Sequence, residues 1–245
     1  MTARESFERW AHHLPLPLKR FGRTVEARAA HAYDLSQVAR KMGPASPGVL
    51  DWWGRECDPP PPSARKRQLL HETLCFHRLQ VAIETGTFLG DTTAFLADRC
   101  HRVITIELDP VLAARARERF HDRQEVTVLE GDSGELLEGV LAGVDEPALF
   151  WLDGHFSGVH EGVQTARGEA DTPLRSELET IVAWPHAPAS TILIDDARML
   201  GLPDYPTLDE IREMVRVLGD PSVAVVCDAV VIQPYRVVPD GYVLR

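Results

Sequence analysis

Acidic residues follow a series of short apolar runs in this 245-residue chain. A carboxylate in such a position can accept hydrogen bonds from hydroxyl groups, attract a cationic ligand or bind a divalent cation. The acids stand after five successive runs, as Glu84, Glu107, Asp132, Asp153 and the pair Asp195-Asp196. Single acids are common in solvated loops, but an acid after every run indicates that these side chains share one binding edge.

The apolar runs alternate with segments of helical periodicity, which predicts a parallel sheet with helices on both faces. Seven strands are predicted, at residues 81–83, 103–106, 126–129, 148–152, 191–194, 223–226 and 230–232. The last two lie so close together that they can only pair as an antiparallel hairpin. The predicted fold is therefore α/β: a Rossmann-like, doubly wound, seven-stranded and mostly parallel sheet with an antiparallel last strand, plus an N-terminal helical extension.

A glycine-punctuated turn follows the first predicted strand, in the segment Glu84-Thr85-Gly86-Thr87-Phe88-Leu89-Gly90. The two glycines let the backbone bend and approach a ligand where a Cβ would intrude. The spacing is neither the Gly-x-Gly-x-x-Gly dinucleotide fingerprint nor a phosphate-binding loop, which ends in Lys-Ser/Thr. Because the carboxylate of Glu84 would repel a pyrophosphate, the turn suits a ligand with a cation or hydroxyl groups. The alternative is a glycine turn that binds no ligand.

This turn resembles the first motif of class I S-adenosylmethionine-dependent methyltransferases, and the resemblance covers about residues 81–233. It implies S-adenosylmethionine as the cofactor, a ligand with a sulfonium, an ammonium and a ribose but no phosphate. The cofactor-binding residues that it implies in the turn are Glu84, Gly86, Thr87 and Gly90. Glu84 and Gly86 would line the amino-acid end of the cofactor.

Residues after the second and third predicted strands would hold the nucleoside. Glu107 stands about twenty residues beyond the glycine turn, where an acid of dinucleotide-binding folds accepts the ribose hydroxyls. The resemblance implies that Leu108 packs against the adenine ring and that Asp132 and Ser133 meet its amino group. Asp132 could also be the N-cap of the helix that follows, and the two roles are compatible.

The acids after the fourth and fifth predicted strands point to a metal. Asp153, Asp195 and Asp196 would converge at the sheet edge and repel one another unless a divalent cation lay between them. Oxygen ligands without cysteine favour Mg²⁺, or Mn²⁺ in its place, over Zn²⁺. The arrangement resembles metal-dependent small-molecule O-methyltransferases, both the catechol type and the macrocin-type sugar enzymes. The resemblance implies that the metal lowers the pKa of the substrate hydroxyl.

A base must still accept the proton of that hydroxyl. His155, two residues beyond Asp153, has a suitable ordinary pKa. Macrocin-type enzymes typically have an aspartate at the matching position, so His155 could instead anchor the loop or bind substrate. The long segment 154–173 is predicted to be a lid, and its polar character favours a sugar or glycosylated substrate. Arg198 is a candidate for an acidic substrate group or for a salt bridge that orients Asp196.

Composition limits the partners. The net charge of −11 and a pI near 5.4 argue against a nucleic-acid interface. Residues 1–80 are nevertheless net +5, with 13 Lys+Arg against 8 Asp+Glu. Residues 1–64 are predicted to be a helical arm with a proline-rich linker, followed by a catalytic domain of residues 65–245. The arm could cap the pocket or form a homodimer interface.

Four scattered cysteines and the absence of any long apolar stretch indicate a cytoplasmic protein that does not bind membranes. The function favoured is a Mg²⁺-dependent O-methyltransferase acting on a hydroxylated small molecule, with a sugar or glycosylated natural product as the candidate acceptor. One alternative is a metal-independent N-methyltransferase or nucleic-acid methyltransferase, although the Asn/Asp-Pro-Pro-Tyr/Phe signature of amino-group methylators is missing. Another is a non-catalytic scaffold with the same fold.

Overall fold

The computed structural model describes residues 59–154, 159–160, 163–164 and 172–234. The chain divides into two units, with the boundary between Phe76 and His77. Helix α1 (Ser63–His77) spans this boundary. The rest of the N-terminal arm, up to residue 58, lies outside the described residues, so its predicted helices and the predicted domain boundary stay predictions. None of the described helices is long and apolar enough to span a bilayer.

The second unit contains a seven-stranded sheet and a two-stranded hairpin. Its strands are β1 (Val81–Thr85), β2 (Arg102–Glu107), β3 (Val126–Glu130), β4 (Ala148–Leu152), β5 (Val159–His160), β6 (Val163–Gln164), β7 (Thr191–Ile194), β8 (Ser222–Val226) and β9 (Ala229–Gln233). The large sheet has the order β3-β2-β1-β4-β7-β9-β8, and β5 pairs only with β6. In the large sheet, β9 is antiparallel to both of its neighbours, whereas the other pairs of that sheet are parallel. The predicted α/β class and the antiparallel last strand are therefore confirmed.

Among the residues that the structure describes, five α-helices connect or follow these strands. They are α2 (Asp91–Ala97), α3 (Pro110–Arg119), α4 (Ser133–Leu141), α5 (Leu174–Ala183) and α6 (Leu208–Val215). Side chains fix several of their starts: Asp109 accepts hydrogen bonds from two backbone N–H groups of α3, and Thr207 forms a capping box with Glu210 of α6. Asp109 lies two residues after the end of β2, so its cap begins α3 at the carboxyl edge of the sheet.

The main core of the second unit lies between one face of the sheet and helices α4, α5 and α6. Phe150 and Ile192 of the sheet and Leu137, Leu178 and Ile211 of the helices are almost fully buried there. The inner strands β1, β2, β4, β7 and β9 are buried on both faces, which is why they appear in the sequence as continuous apolar runs rather than as alternating ones. The edge strands β3 and β8 are partly exposed.

The first strand, β1, lies in the middle of the sheet, and the later strands lie on both sides of it. From β1 the chain continues to β2 and β3 on one side, then returns to β4 and proceeds through β7 on the other. The order of strands thus reverses between β1 and β4, and in open α/β sheets a ligand binds at such a switch point. The turn between β8 and β9 has only two residues, Cys227 and Asp228, both with positive φ, as a tight antiparallel hairpin requires.

Candidate functional site

Four residues form a row at the carboxyl edge of the sheet, across the switch point. The register pairs Thr85 of β1 with the residue before Glu107 on β2 and with the residue before Asp153 on β4. It also pairs the last residues of β4 and β7, so that Asp195 is level with Asp153. Glu107, Gly86, Asp153 and Asp195 therefore stand side by side. The Asp153 N–H donates to the Thr85 carbonyl and the Asp195 N–H to the Leu152 carbonyl, both at 3.0 Å.

Gly86 allows the first turn to pack directly on the end of β4. Its φ is +82°, and a Cβ there would lie 2.8 Å from the carbonyl carbon of Asp153. A side chain would therefore be both strained and too close to the backbone. Gly90, with φ +81°, is the N-cap residue of α2 and lies against the ring of Phe120. Contacts within the protein therefore require glycine at both positions, and the approach of a ligand to this turn stays a prediction.

Glu84 lies one step deeper than the row, with only 1% of its surface exposed. Its carboxylate accepts hydrogen bonds from the hydroxyls of Thr93 and Thr105, the latter at 2.8 Å. Burial raises the pKa of Glu84 to about 7, although both hydrogen bonds lower it. Thr87 is also turned inward, since its hydroxyl lies 2.6 Å from that of Thr105. The described polar contacts of both side chains are internal, and their contact with a cofactor stays a prediction.

Glu107 ends β2 and is held by the backbone around it. The Phe88 N–H donates to one carboxylate oxygen at 2.7 Å, and the Asp109 N–H donates to the other at 2.9 Å. Burial raises its pKa, while these backbone donors lower it. Each oxygen has a second lone pair, so the carboxylate is oriented and can still accept hydroxyl groups. The neighbouring Leu108 is half-buried.

Asp132 is the N-cap of α4, because its carboxylate accepts the Gly134 N–H at 2.8 Å. Its sequence-based role as a helix cap is therefore found, and its contact with adenine stays a prediction. Ser133 is buried, and its hydroxyl donates to Glu177 at 2.6 Å. Glu177, which was not predicted as a site residue, lies in the first turn of α5 and is 1% exposed. The spacing of Leu174, Glu177, Leu178 and Ile181 places all four on one helix face, which was the missed signal.

The acidic pair after β7 has two different environments. Asp195 is buried and accepts the Asp196 N–H at 2.8 Å. Asp196 receives two hydrogen bonds from the guanidinium of Arg198, at 2.8 and 3.0 Å. Arg198 also forms an ion pair with Asp228 in the turn between β8 and β9. The salt-bridge interpretation of Arg198 is thus the one that the contacts support, and Asp196 already has a cationic partner.

These contacts bear on the predicted metal site. Asp153 and Asp195 follow neighbouring strands, but Asp196 is bound to Arg198 rather than directed at a shared ion. Within the described ranges, no group of three or more His, Cys, Asp or Glu side chains could hold a metal. The three-acid site is therefore not assembled among these residues, and the metal stays a prediction. The candidate base His155 and the lid residues Glu161, Arg167 and Asp171 lie outside the described residues, and His160 is described only as part of β5.

A solved methyltransferase structure is similar to this chain at low sequence identity. The antiparallel direction of β9 agrees with the reversed last strand that the resemblance implies. The chain has a Rossmann-like α/β fold with a seven-stranded, mostly parallel sheet. That structure, a methyltransferase from Podospora anserina bound to S-adenosylhomocysteine, superimposes with a TM-score of 0.48 and 15% identity. The match covers 86% of this chain and 97% of that one, and at this distance it carries no functional argument.

Two curated methyltransferases share short segments of sequence with this chain. A ribosomal RNA small subunit methyltransferase A from Acidobacterium capsulatum is 49% identical over 53 residues, which is 22% of this chain. An ornithine lipid N-methyltransferase from Singulisphaera acidiphila is 42% identical over 62 residues, or 24% of this chain. The chain covers only 19% and 32% of the lengths of these relatives. No protein-family model matches the chain.

Proposed function

We propose that this protein is an S-adenosylmethionine-dependent O-methyltransferase that acts on a hydroxyl group of a small molecule, with a sugar or glycosylated natural product as the acceptor class. The observation that carries the proposal is the row of Glu107, Gly86, Asp153 and Asp195 across the switch point. The names of both curated relatives, which are methyltransferases, support the reaction class.

The row suits a methyl donor better than a nucleotide. Glu107 would accept the two ribose hydroxyls, because its carboxylate is already oriented by two backbone N–H groups. Gly86 would let the amino-acid end of the cofactor approach the backbone. Asp132 and Ser133 would lie at the adenine edge, with Leu108 against the ring. Several carboxylates so close together disfavour a phosphate ligand and favour a sulfonium and an ammonium group.

The acceptor hydroxyl would bind beside Asp153 and Asp195, on the β4 side of the switch point. These carboxylates can accept a hydrogen bond from the acceptor hydroxyl, and their negative charge can stabilise the positive sulfonium of the methyl donor. We propose His155 as the base that removes the proton. Acceptors with an amino group or in nucleic acid are the alternatives. A net charge of −16 over residues 81–245 disfavours a nucleic-acid acceptor.

We further propose that Mg²⁺ or Mn²⁺ assists the reaction. Asp153 and Asp195 would be its protein ligands, since they follow adjacent strands and provide oxygen atoms. A cation there would lower the pKa of the acceptor hydroxyl. Asp196 could join only by releasing Arg198, which makes it the weakest of the three predicted ligands.

Binding of S-adenosylhomocysteine by isothermal titration calorimetry tests the cofactor assignment. We expect the wild type to bind, and Glu107→Gln to weaken binding at least tenfold, because hydrogen bonds to a charged acceptor are lost. Glu118→Gln, at an exposed position of α3, is the matched control and should bind like the wild type. A wild type that binds neither S-adenosylmethionine nor S-adenosylhomocysteine would refute the proposed function.

Methyl transfer to a panel of sugars, catechols, amines and RNA, followed with labelled S-adenosylmethionine, tests the acceptor. We expect label on hydroxylated small molecules and loss of transfer with EDTA. Turnover that EDTA leaves unchanged, or label on amines or RNA alone, would favour the alternative.

We also propose that residues 1–64 mediate a homodimer. Light scattering of the full chain and of a form without residues 1–60 tests this, with a folded monomer expected after the deletion. An unchanged oligomer would instead indicate that the arm caps the pocket.

A further inference from the structure

Glu177 is a carboxyl group without an assigned task, buried at the carboxyl edge of the sheet. It belongs to the first turn of α5, yet only 1% of its surface is exposed. An acid in the first helical turn is usually exposed to solvent, where its negative charge interacts favourably with the positive end of the helix dipole and stays hydrated. Full burial costs free energy unless specific partners compensate, so the contacts of Glu177 need an explanation.

Those contacts join two separate segments of the row. On one side, the Ser133 hydroxyl donates to Oε1 of Glu177 at 2.6 Å. On the other side, a Cβ at Gly154 would lie 3.5 Å from the same oxygen, so the backbone after Asp153 packs against the carboxyl group. Ser133 follows β3 and Gly154 follows β4. Glu177 thus fixes the spacing between the proposed adenine edge and the proposed acceptor side.

We propose that Glu177 is a positioning residue of the cofactor site, which holds Ser133 and the adjoining Asp132 where they meet the adenine group. This inference rests on the proposed function and assigns to it a residue that lies outside the row. Ser133 contributes its hydroxyl to Glu177, so the group that it presents to adenine is its backbone. A displaced Ser133 would move that backbone and the Asp132 cap together, since the two residues begin α4.

The protonation state of Glu177 agrees with this role. Burial raises the pKa of its carboxyl group to about 7, contacts with the hydroxyls of Ser133 and Thr85 lower it, and the nearby charge of Asp132 raises it. Gly154, in the segment after β4, also packs against the carboxyl group and brings no charge. At pH 6 the group is therefore mostly neutral. A glutamine, which is neutral and has an oxygen that can accept the Ser133 hydroxyl, copies that state.

Calorimetric titration of the full chain at pH 6 tests the proposal with two probes, S-adenosylhomocysteine and 5′-methylthioadenosine. The second probe keeps the adenine and ribose but lacks the amino-acid end. We expect Glu177→Ala to weaken both probes by a similar factor of about ten, the loss of one well-formed hydrogen bond. Ser133→Ala should have a similar effect, and the double variant should be no weaker than either single one. Glu177→Gln should restore binding to within threefold of the wild type.

The control is Glu179→Gln, an exposed position two residues further along α5, which should bind both probes like the wild type. Unchanged binding by Glu177→Ala and Ser133→Ala would overturn the inference while leaving the proposed function intact. Loss of S-adenosylhomocysteine binding alone would also overturn it, because the defect would then lie at the amino-acid end. If Glu177→Ala does not fold, Glu177→Gln takes its place, because we expect the glutamine variant to fold. Tenfold weaker binding of the probes by Glu177→Gln would then overturn the inference. A wild type that binds neither probe would refute the proposed function itself.

Discussion

Replacing Glu84 by glutamine should make the folding stability of this protein depend less on pH. Burial raises the pKa of the Glu84 carboxyl group from 4.5 to about 7. At about 1.4 kcal/mol per pKa unit, this corresponds to about 3 kcal/mol of folding free energy. Because the folded state has the higher pKa, that contribution is fully present below pH 4.5 and is lost as the pH rises through about 7.

Glutamine cannot ionise, and its amide oxygen can keep the hydrogen bonds from Thr93 and Thr105. Relative to the wild type, Glu84→Gln should therefore be about 1 kcal/mol more stable at pH 5, where part of the contribution is already lost, and about 3 kcal/mol more stable at pH 8. Urea unfolding followed by tryptophan fluorescence measures both values, since Trp151 and Trp184 are buried. Glu118→Gln, at an exposed position, is the control and should keep the pH dependence of the wild type. Equal slopes for Glu84→Gln and the wild type between pH 5 and 8 would refute the reasoning.

Two further predictions concern the row. Gly86→Ala should destabilise the fold by about 2 kcal/mol and weaken S-adenosylhomocysteine binding, because the positive φ of Gly86 and its contact with Asp153 exclude a side chain. The control is Gly139→Ala in helix α4, where no atom lies within 4 Å of the added carbon. This variant should be as stable as the wild type or more stable. Unfolding curves of the two variants decide this, and similar losses in both would contradict it. Asp195→Asn should lower Mn²⁺ affinity, measured by calorimetry, by more than Asp196→Asn does, since an arginine already binds Asp196; the reverse order would contradict the proposed ligand pair.

The order of elements could be predicted because local sequence specifies it. Buried parallel strands need continuous β-branched and apolar residues, and helices need a 3.6-residue period, so both are visible in a single sequence. The exact residues at which the strands end were harder to predict from the sequence. Strand β1 extends to Thr85 because Glu84 and Thr85 still pair with both β2 and β4, and that pairing involves residues far along the chain.

The site was predicted in part for the same reason. Parallel strands share a carboxyl edge, so residues directly after the apolar runs had to meet there, as Glu107, Asp153 and Asp195 do. The direction in which each side chain points could not be predicted from the sequence. Glu84 and Thr87 face inward to Thr93 and Thr105, a choice made by packing against the neighbouring strand and helix.

The sequence alone determined the fold class, the positions of the glycines and the set of acids available for chemistry, because each follows from residue type and local spacing. The tertiary structure decided which acids are engaged elsewhere. Asp196 is bound by Arg198, which also reaches Asp228 some thirty residues later, and Ser133 is bound by Glu177 from another helix. Such partners meet only when the chain folds, since the interaction energy of charged and hydrogen-bonding groups depends on their distance and burial rather than on their separation in sequence.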